Sequence, residues 1–487
     1  MPITRNAIAA AAAPLGLLSG AAAEARANHE PAPAISHLRA STEHLPSTAG
    51  VLRVTASIRH ARVCRLSSAR RVRGLPHKVR CASGRFAASL TLPANRSDEP
   101  VAYALTLSAV GRGTRTGRLQ VTVGPAGTFS LAVGREFACA RVPDSHVDCW
   151  GSNIEGQLGD GEVGEASVAS AVGATGLSTA RTVSAGETHA CAALTGGAAD
   201  CWGENESGQV GTGAAGRPIG RPTPVRALAG VLAVAAGGPF TCALAEAGTV
   251  ACWGADLNGE LGNATVATRA LQPEPVTGLE RTAGLAAGEA FACALEASGI
   301  VACWGENTYG QLGDGQSEEP AVTHPVAVSG LADVTQIAAG TAFACALTAA
   351  GGVDCWGEDG YGELGDEQPG HAHLLSAVPV AVHGIAGARA IAAAERDACA
   401  LLAGGAVDCW GAGEQGQLGH AHAGASDVPV RVDGVGGGAA LAAGGNTFCA
   451  LLDSEQVQCW GSNGSGEVGD RRAGELRAAP AIVAGVP

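Results

Sequence analysis

All seven tryptophans of the chain sit in one tripeptide, Cys-Trp-Gly, which returns at a nearly constant interval. Trp150, Trp202, Trp253, Trp304, Trp356, Trp410 and Trp460 are separated by 52, 51, 51, 52, 54 and 50 residues. Ten positions before the cysteine of each tripeptide stands another, from Cys139 and Cys149 through to Cys449 and Cys459. A fixed period near 50 means that one supersecondary unit is copied along the chain, each copy covering its apolar faces with its neighbours. The array occupies 125–487, and residues 51–124 in front of it are long enough for a small separate domain.

The fifth unit shows what is copied. Short apolar runs at Val334 to Ala338, Phe343 to Leu347, Val353 to Trp356 and Val378 to Val382 are divided by glycine-containing breaks. Runs of four to six residues between such breaks are strands, too short to be helices. Thr-Ala-Ala-Gly-Gly joins the second run to the third as a hairpin, its glycines free to take positive φ. Four antiparallel strands per unit, repeated seven times, describe a seven-bladed β-propeller. The array opens on a first-strand segment and ends on a fourth-strand one, so the terminal strand is expected to complete the seam near the first unit.

Each cysteine pair lies on the two arms of a hairpin, equidistant from its turn, where opposed Cα atoms approach to ~4.5 Å. The expected bridges are Cys139–Cys149, Cys191–Cys201, Cys242–Cys252, Cys293–Cys303, Cys345–Cys355, Cys399–Cys409 and Cys449–Cys459. Cys64 and Cys81 form an eighth pair and no cysteine is left over. Each tryptophan follows its cysteine and therefore points to the other face of the strand. Buried between blades, each ring contributes on the order of 4–5 kcal/mol gross, from ~150–250 Å² at ~25 cal/mol per Å².

Charge divides where the repeat begins. Residues 1–124 hold 17 lysines and arginines against 5 acids, whereas the repeats hold 14 against 40. An array that acidic repels polyphosphate, so no nucleic-acid partner is expected; the basic run Arg70, Arg71, Arg73, Lys78 and Arg80 reads as a solvated face. Residues 1–25 read as a signal peptide: Arg5, then an Ala-rich apolar stretch, then Ala23-Glu24-Ala25 at the cleavage positions. An even, paired cysteine set beside such a segment implies an oxidising compartment, secreted or at the cell surface. Residues 26–50, with Pro31, Pro33 and Pro46, read as a linker. No stretch is long and apolar enough for a membrane span, and a monomer is expected.

The pattern Gly-x-x-Phe/His-x-Cys-Ala-Leu followed by Cys-Trp-Gly-x-Asn-x-x-Gly-Gln-Leu-Gly resembles the regulator of chromosome condensation repeat. It stands clearly at Cys201-Trp202-Gly203-Glu204-Asn205 and at Cys303-Trp304-Gly305-Glu306-Asn307, each running on to Gly-Gln-Val/Leu-Gly. The resemblance covers all seven units and implies a seven-bladed propeller. Family members include a nucleosome-docked guanine nucleotide exchange factor for a small GTPase and secreted bacterial proteins, so the fold transfers no single job. Residues 51–124 resemble the immunoglobulin-like modules of exported bacterial proteins, a small β-sandwich with Cys64–Cys81 as its internal bridge. The inter-sheet tryptophan of antibody domains is absent from it.

No catalytic, cofactor or metal motif appears in the chain. His371-Ala372-His373 and His420-Ala421-His422 would need their loops to converge with Glu367 or Asp427 to bind a metal, and read as solvated. Asp160, Asp314, Asp366 and Asp470 follow the same turn in successive units, a structural or surface ring rather than paired acids around one substrate. Tyr309 and Tyr361 each lie five residues after a tryptophan, on adjacent loops of one rim, with Glu306, Glu358 and Asp359 beside them. Tyrosine anchors with an acidic border suit a protein partner offering apolar and basic groups. The expectation is an exported, non-enzymatic protein-binding or scaffold propeller. Its rivals are a guanine nucleotide exchange factor and a secreted lyase or hydrolase acting at the propeller centre.

Overall fold

The computed structural model describes residues 32–486, except 41–43, 46–49, 69, 71, 73–74, 82–83, 93–100, 124–128, 144, 368–373 and 421–423. The signal-peptide reading at 1–25 and Arg71 and Arg73 of the basic run therefore lie outside the described residues. These residues are all-β, with no helix among them, so none crosses a membrane as one. They divide into two compact units, one holding most of 32–121 and the other the remainder to 486.

The smaller unit has two sheets. One places Gly50–Arg59 between Ala34–Ala40 and Gly84–Leu92; the other orders Gly113–Val123, Val101–Gly111, Ala61–Ser68 and His77–Arg80. Alternate residues are buried along both, Val54, Ala56 and Ile58 in the first and Leu105, Leu107 and Ala109 in the second, the period-two pattern of strands with one face turned to a core. Cys64 bonds Cys81, just beyond the strand that pairs with its own. This bridge ties adjacent strands of one sheet, unlike the inter-sheet bridge of antibody domains.

The larger unit is a β-propeller of four-stranded antiparallel sheets. Seven such sheets follow one another between Ser130 and Ile482, each from a contiguous stretch of chain. The fifth uses Val334–Ala339, Phe343–Thr348, Val353–Glu358 and Leu375–Ala381. Its outer strand begins three residues before the apolar run, because a register shift after Cys355 lets Gly357 and Glu358 go on pairing, with Ser376 and Leu375. In all seven hairpins the cysteines stand directly opposite, as Cys345 and Cys355 do. All seven pairs are bonded, with Cα atoms 4.0 or 4.1 Å apart.

The tryptophans join sheet to sheet, and all seven are fully buried. Each indole N–H donates to a backbone carbonyl in the loop after the third strand of the preceding sheet. Trp202 bonds Gln157, Trp253 bonds Gln209, Trp304 bonds Glu260, Trp356 bonds Gln311, Trp410 bonds Glu363 and Trp460 bonds Gln417, at 2.8–2.9 Å. A buried ring is thereby given both its apolar contacts and the partner its polar end requires. The seat is tight: Gly313 has φ +68°, and a Cβ there would lie 2.8 Å from Trp356, so only glycine fits.

Ring closure uses the same device. Trp150 of the first sheet donates to Glu467 O beside the last, 2.6 Å away and 317 residues along the chain. Ala171 N also donates to Ala484 O at 3.0 Å, and Arg471 N to Ala169 O at 2.8 Å. Among the described residues the terminal strand Arg477–Ile482 pairs only within its own sheet, and the seam is joined by these contacts.

Candidate functional site

Two sets of loops share one rim, those after the first strand of each sheet and those after the third. The inner set encircles a central cavity of about 300 Å³ lined by residues of all seven sheets. Its backbone is linked loop to loop. Arg135 N donates to Glu187 O, Glu187 N to Gly237 O, Gly238 N to Glu289 O, Glu289 N to Thr341 O, Thr341 N to Glu395 O and Glu395 N to Gly445 O, over 2.8–3.4 Å. Peptide groups that would be stranded at the mouth of a channel are thus satisfied from each loop to the next, from the first sheet to the seventh.

Side chains of this inner ring give the mouth a mixed but mainly acidic character. Arg135 is ion-paired with Glu187, which raises the guanidinium pKa further. Glu395 accepts from Asn446 Nδ2 at 3.0 Å, and Asn446 Oδ1 in turn accepts from Gln417 Nε2 at 3.1 Å. Glu289 is held above the usual carboxylate range, first by desolvation in the mouth and then by the Glu187 carboxylate, with Arg135 pulling the other way. No histidine lines this cavity among the described residues.

The outer loops are built to a common plan. In six of the seven the side-chain oxygen three residues after the tryptophan accepts an amide five residues on, as Asn307 Oδ1 does from Leu312 N at 3.1 Å; the sixth carries Gly413 there. The Gln or Glu of Gly-Gln-Leu-Gly accepts the amide two residues before it, as Gln311 does from Tyr309 N at 2.9 Å. Both acceptors are buried, so the loop tip between them is fixed from below. Asp359 occupies the first of these positions and accepts from Leu364 N at 3.0 Å. Expected among the surface acids, it is buried and serves its own loop.

The other expected rim residues are at the surface to different degrees. Tyr309 is 39% exposed, whereas Tyr361 is half-buried under Arg396, whose guanidinium carbon lies 4.9 Å from the ring centroid. That stacking is a cation–π contact. Glu306 accepts from Thr308 Oγ1 at 3.0 Å. Glu358 is raised by burial, opposed by Arg396. Two apolar residues missed by sequence reasoning stand on equivalent loops, Ile154 at 58% and Leu257 at 65% exposure. Each is four residues after its tryptophan, where the fourth and fifth units carry Thr308 and Gly360. Glu155 beside Ile154 is raised by burial and then by Glu204 and Glu206 of the next loop. The outer rim is therefore apolar points set in crowded carboxylates.

Glu367 pairs with His383 Nδ1 at 3.0 Å. Among the described residues no three His, Cys, Asp or Glu side chains form a metal-binding group; His371, His373 and His422 lie outside those residues. The repeated aspartates serve their turns: Asp160 Oδ1 accepts from Glu162 N and Asp314 Oδ1 from Gln316 N, while Asp470 pairs with Arg477 at 2.9 Å.

Comparison with known proteins gives a consistent picture. Residues 149–486 match the family described as the RCC1-like domain. The human E3 ubiquitin-protein ligase HERC2 is 32% identical over 246 residues, 49% of this chain and 5% of that protein. The ultraviolet-B receptor UVR8 of Arabidopsis thaliana is likewise 32% identical over 246 residues, which is 54% of its length. The chain thus spans a small part of one relative and about half of the other. Among solved structures, yeast RCC1 (Prp20) bound to Kap60 superposes with a TM-score of 0.61 at 21% identity, covering 73% of this chain and 84% of that one. Human WBSCR16 gives 0.56 at 22%, covering 68% and 89%.

Proposed function

This chain belongs to the RCC1-like domain family, and from that premise we propose that it is an exported, non-enzymatic scaffold that binds another protein through one rim of a seven-bladed propeller. The smaller unit is read as an immunoglobulin-like module preceding the propeller of 125–487, after a signal peptide at 1–25; the stretch expected as a linker at 26–50 already supplies the strand Ala34–Ala40, which pairs with Gly50–Arg59. One observation carries the reading: the rim displays Ile154, Leu257 and Tyr309 among carboxylates on loops braced from below. Exposed apolar side chains on a fixed frame bind with a smaller ordering cost than those on a loop that must first be fixed. The acidic surround selects partners with basic groups and speeds their encounter. Eight cysteine pairs and the N-terminal segment support the exported location.

A second reading is guanine nucleotide exchange on a small GTPase. It is favoured by the likeness to Prp20p, a structure described together with its binding properties to Gsp1p and histones. A labelled-nucleotide release assay with small GTPases separates the two, and clear acceleration would displace the exported scaffold. N-terminal sequencing of protein recovered from the medium tests export itself: a chain beginning just after the Ala23-Glu24-Ala25 segment is expected, and an uncleaved chain retained inside the cell contradicts it. A lyase or hydrolase at the centre is the third reading, favoured by Glu289 and its neighbours at the cavity mouth. Turnover abolished by Glu289→Gln would establish it.

A further inference from the structure

Two positions recur at every seam between sheets, and the seam between the fifth and sixth sheets is the one that carries a carboxyl group at both. Two residues before the first hairpin cysteine, the first, third, fourth and fifth sheets carry Phe137, Phe240, Phe291 and Phe343, all buried. The sixth carries Asp397 instead, also fully buried. The phenylalanine of the seventh unit is displaced by one residue to Phe448, where it packs with Leu401 and stacks on Trp460 at 6.0 Å. In the loop of the fifth sheet Glu363 stands at the Gln position of Gly-Gln-Leu-Gly and has no exposure; Glu260 and Glu467 stand there in the third and seventh sheets, but each faces a phenylalanine, Phe291 and Phe137, at the other position.

These two carboxyl groups belong to elements packed on each other. Trp410 N–H donates to Glu363 O at 2.8 Å, and Trp410 stands opposite Ala398, the neighbour of Asp397. Glu363 Oε2 accepts from Tyr361 N at 2.7 Å, and Asp397 Oδ1 from Arg396 N at 3.3 Å. Glu363 Oε1 and Asp397 Oδ2 are buried with no hydrogen-bond partner. The charged groups around them are mostly of the same sign. Glu358 and Asp359 act on Glu363, while Glu395, Glu363 and Glu414 act on Asp397. The nearby cation, Arg396, lies over the Tyr361 ring. Two unpaired buried carboxylates would be costly, and the ordinary response of such groups is to stay protonated.

We propose that Glu363 and Asp397 make the junction of the fifth and sixth sheets a proton-held seam, closed while the pair keeps its protons and loosened as they leave. The seam lies directly under Tyr361 and Arg396, so its loosening reaches the rim, but the device requires no partner and does not rest on the binding reading. Burial raises Glu363 to about 7 and Asp397 well above the carboxylate range, with like charges adding to both. For an acid raised by folding, the native state holds the extra proton. Stability is therefore full at low pH and declines as pH rises from about 4.5 through 7 for Glu363, and further for Asp397.

Hydrogen exchange on the full chain, corrected for the intrinsic pH dependence of the chemistry, reads the seam locally. Between pH 6 and 9, peptides covering 357–366 and 395–411 should exchange at least tenfold faster, while 291–307 stays unchanged. Glu363→Gln with Asp397→Asn should abolish that rise and flatten the alkaline side of the thermal-unfolding profile. A uniform increase across all sheets, or identical pH profiles for wild type and double variant, would overturn the proposal. If the double variant does not fold, the exchange pattern of the wild type decides alone.

Discussion

Replacing Trp150 by phenylalanine tests whether the ring is closed. In an open stack of repeats, a terminal residue has a neighbour on one side only, and its loss costs less than that of an interior equivalent. In this structure Trp150 is as enclosed as the other six, and its N–H is bonded to Glu467 O at 2.6 Å. Trp150→Phe removes that donor and leaves a buried carbonyl with a lost partner, about 1–3 kcal/mol. The smaller ring also leaves part of its seat empty, adding roughly 1 kcal/mol. The sum is about 3 kcal/mol, and Trp304→Phe in the fourth sheet should cost nearly the same. Urea unfolding of both variants, followed by far-ultraviolet circular dichroism, gives the comparison. A cost below about 1 kcal/mol for Trp150→Phe beside about 3 for Trp304→Phe would mean that the first and last sheets are not joined as described.

Three further outcomes follow from single features. His189 is fully buried, its Nε2 2.8 Å from Thr241 Oγ1, and burial lowers it to about 4. Stability is therefore complete above the unfolded value near 6.5 and falls by about 3 kcal/mol on acidification to pH 4; His189→Gln should remove that acid limb from pH-dependent unfolding. Cys345→Ser with Cys355→Ser should cost at most about 3 kcal/mol in denaturant unfolding, and less if the hairpin forms locally, because the bridge closes a short loop. Gly313→Ala should destabilise more than an average surface change, since its Cβ meets Trp356 at 2.8 Å at φ +68°; a neutral thermal shift would contradict the seat described for the indole.

The hairpins and their wedges were legible because their signals are local. Cysteines ten apart around a short turn leave only one register with both directly opposed, and a tryptophan next to a cysteine must occupy the other face. What lay between units was less legible. Phe137 aligns with His189 and Asp397, but nothing in one unit says that His189 meets Thr241 of the next. Asp359 is buried where an acid in a loop reads as surface, because its position is that of the asparagine that in other units ties the loop, here to Leu364 N. Ile154 and Leu257 gave no signal, since an apolar residue in a loop is as often buried as displayed. Tyr361 is half-buried because the Arg396 over its ring comes from the next sheet, which its own unit does not announce.

The claim that the rim is the binding surface is tested most directly by the dissociation constant of an identified partner for three proteins: wild type, Tyr309→Ala with Tyr361→Ala, and a control altered at Glu246 and Ile300. The control residues occupy turns at the opposite ends of the strands, and Ile300 is 49% exposed. Anchor residues at the centre of an interface cost about 2 kcal/mol or more on truncation, roughly thirtyfold in affinity. The account predicts that loss for the tyrosine pair and less than twofold for the control. An unchanged constant for the tyrosine pair, or the larger loss in the control, would place the contact elsewhere.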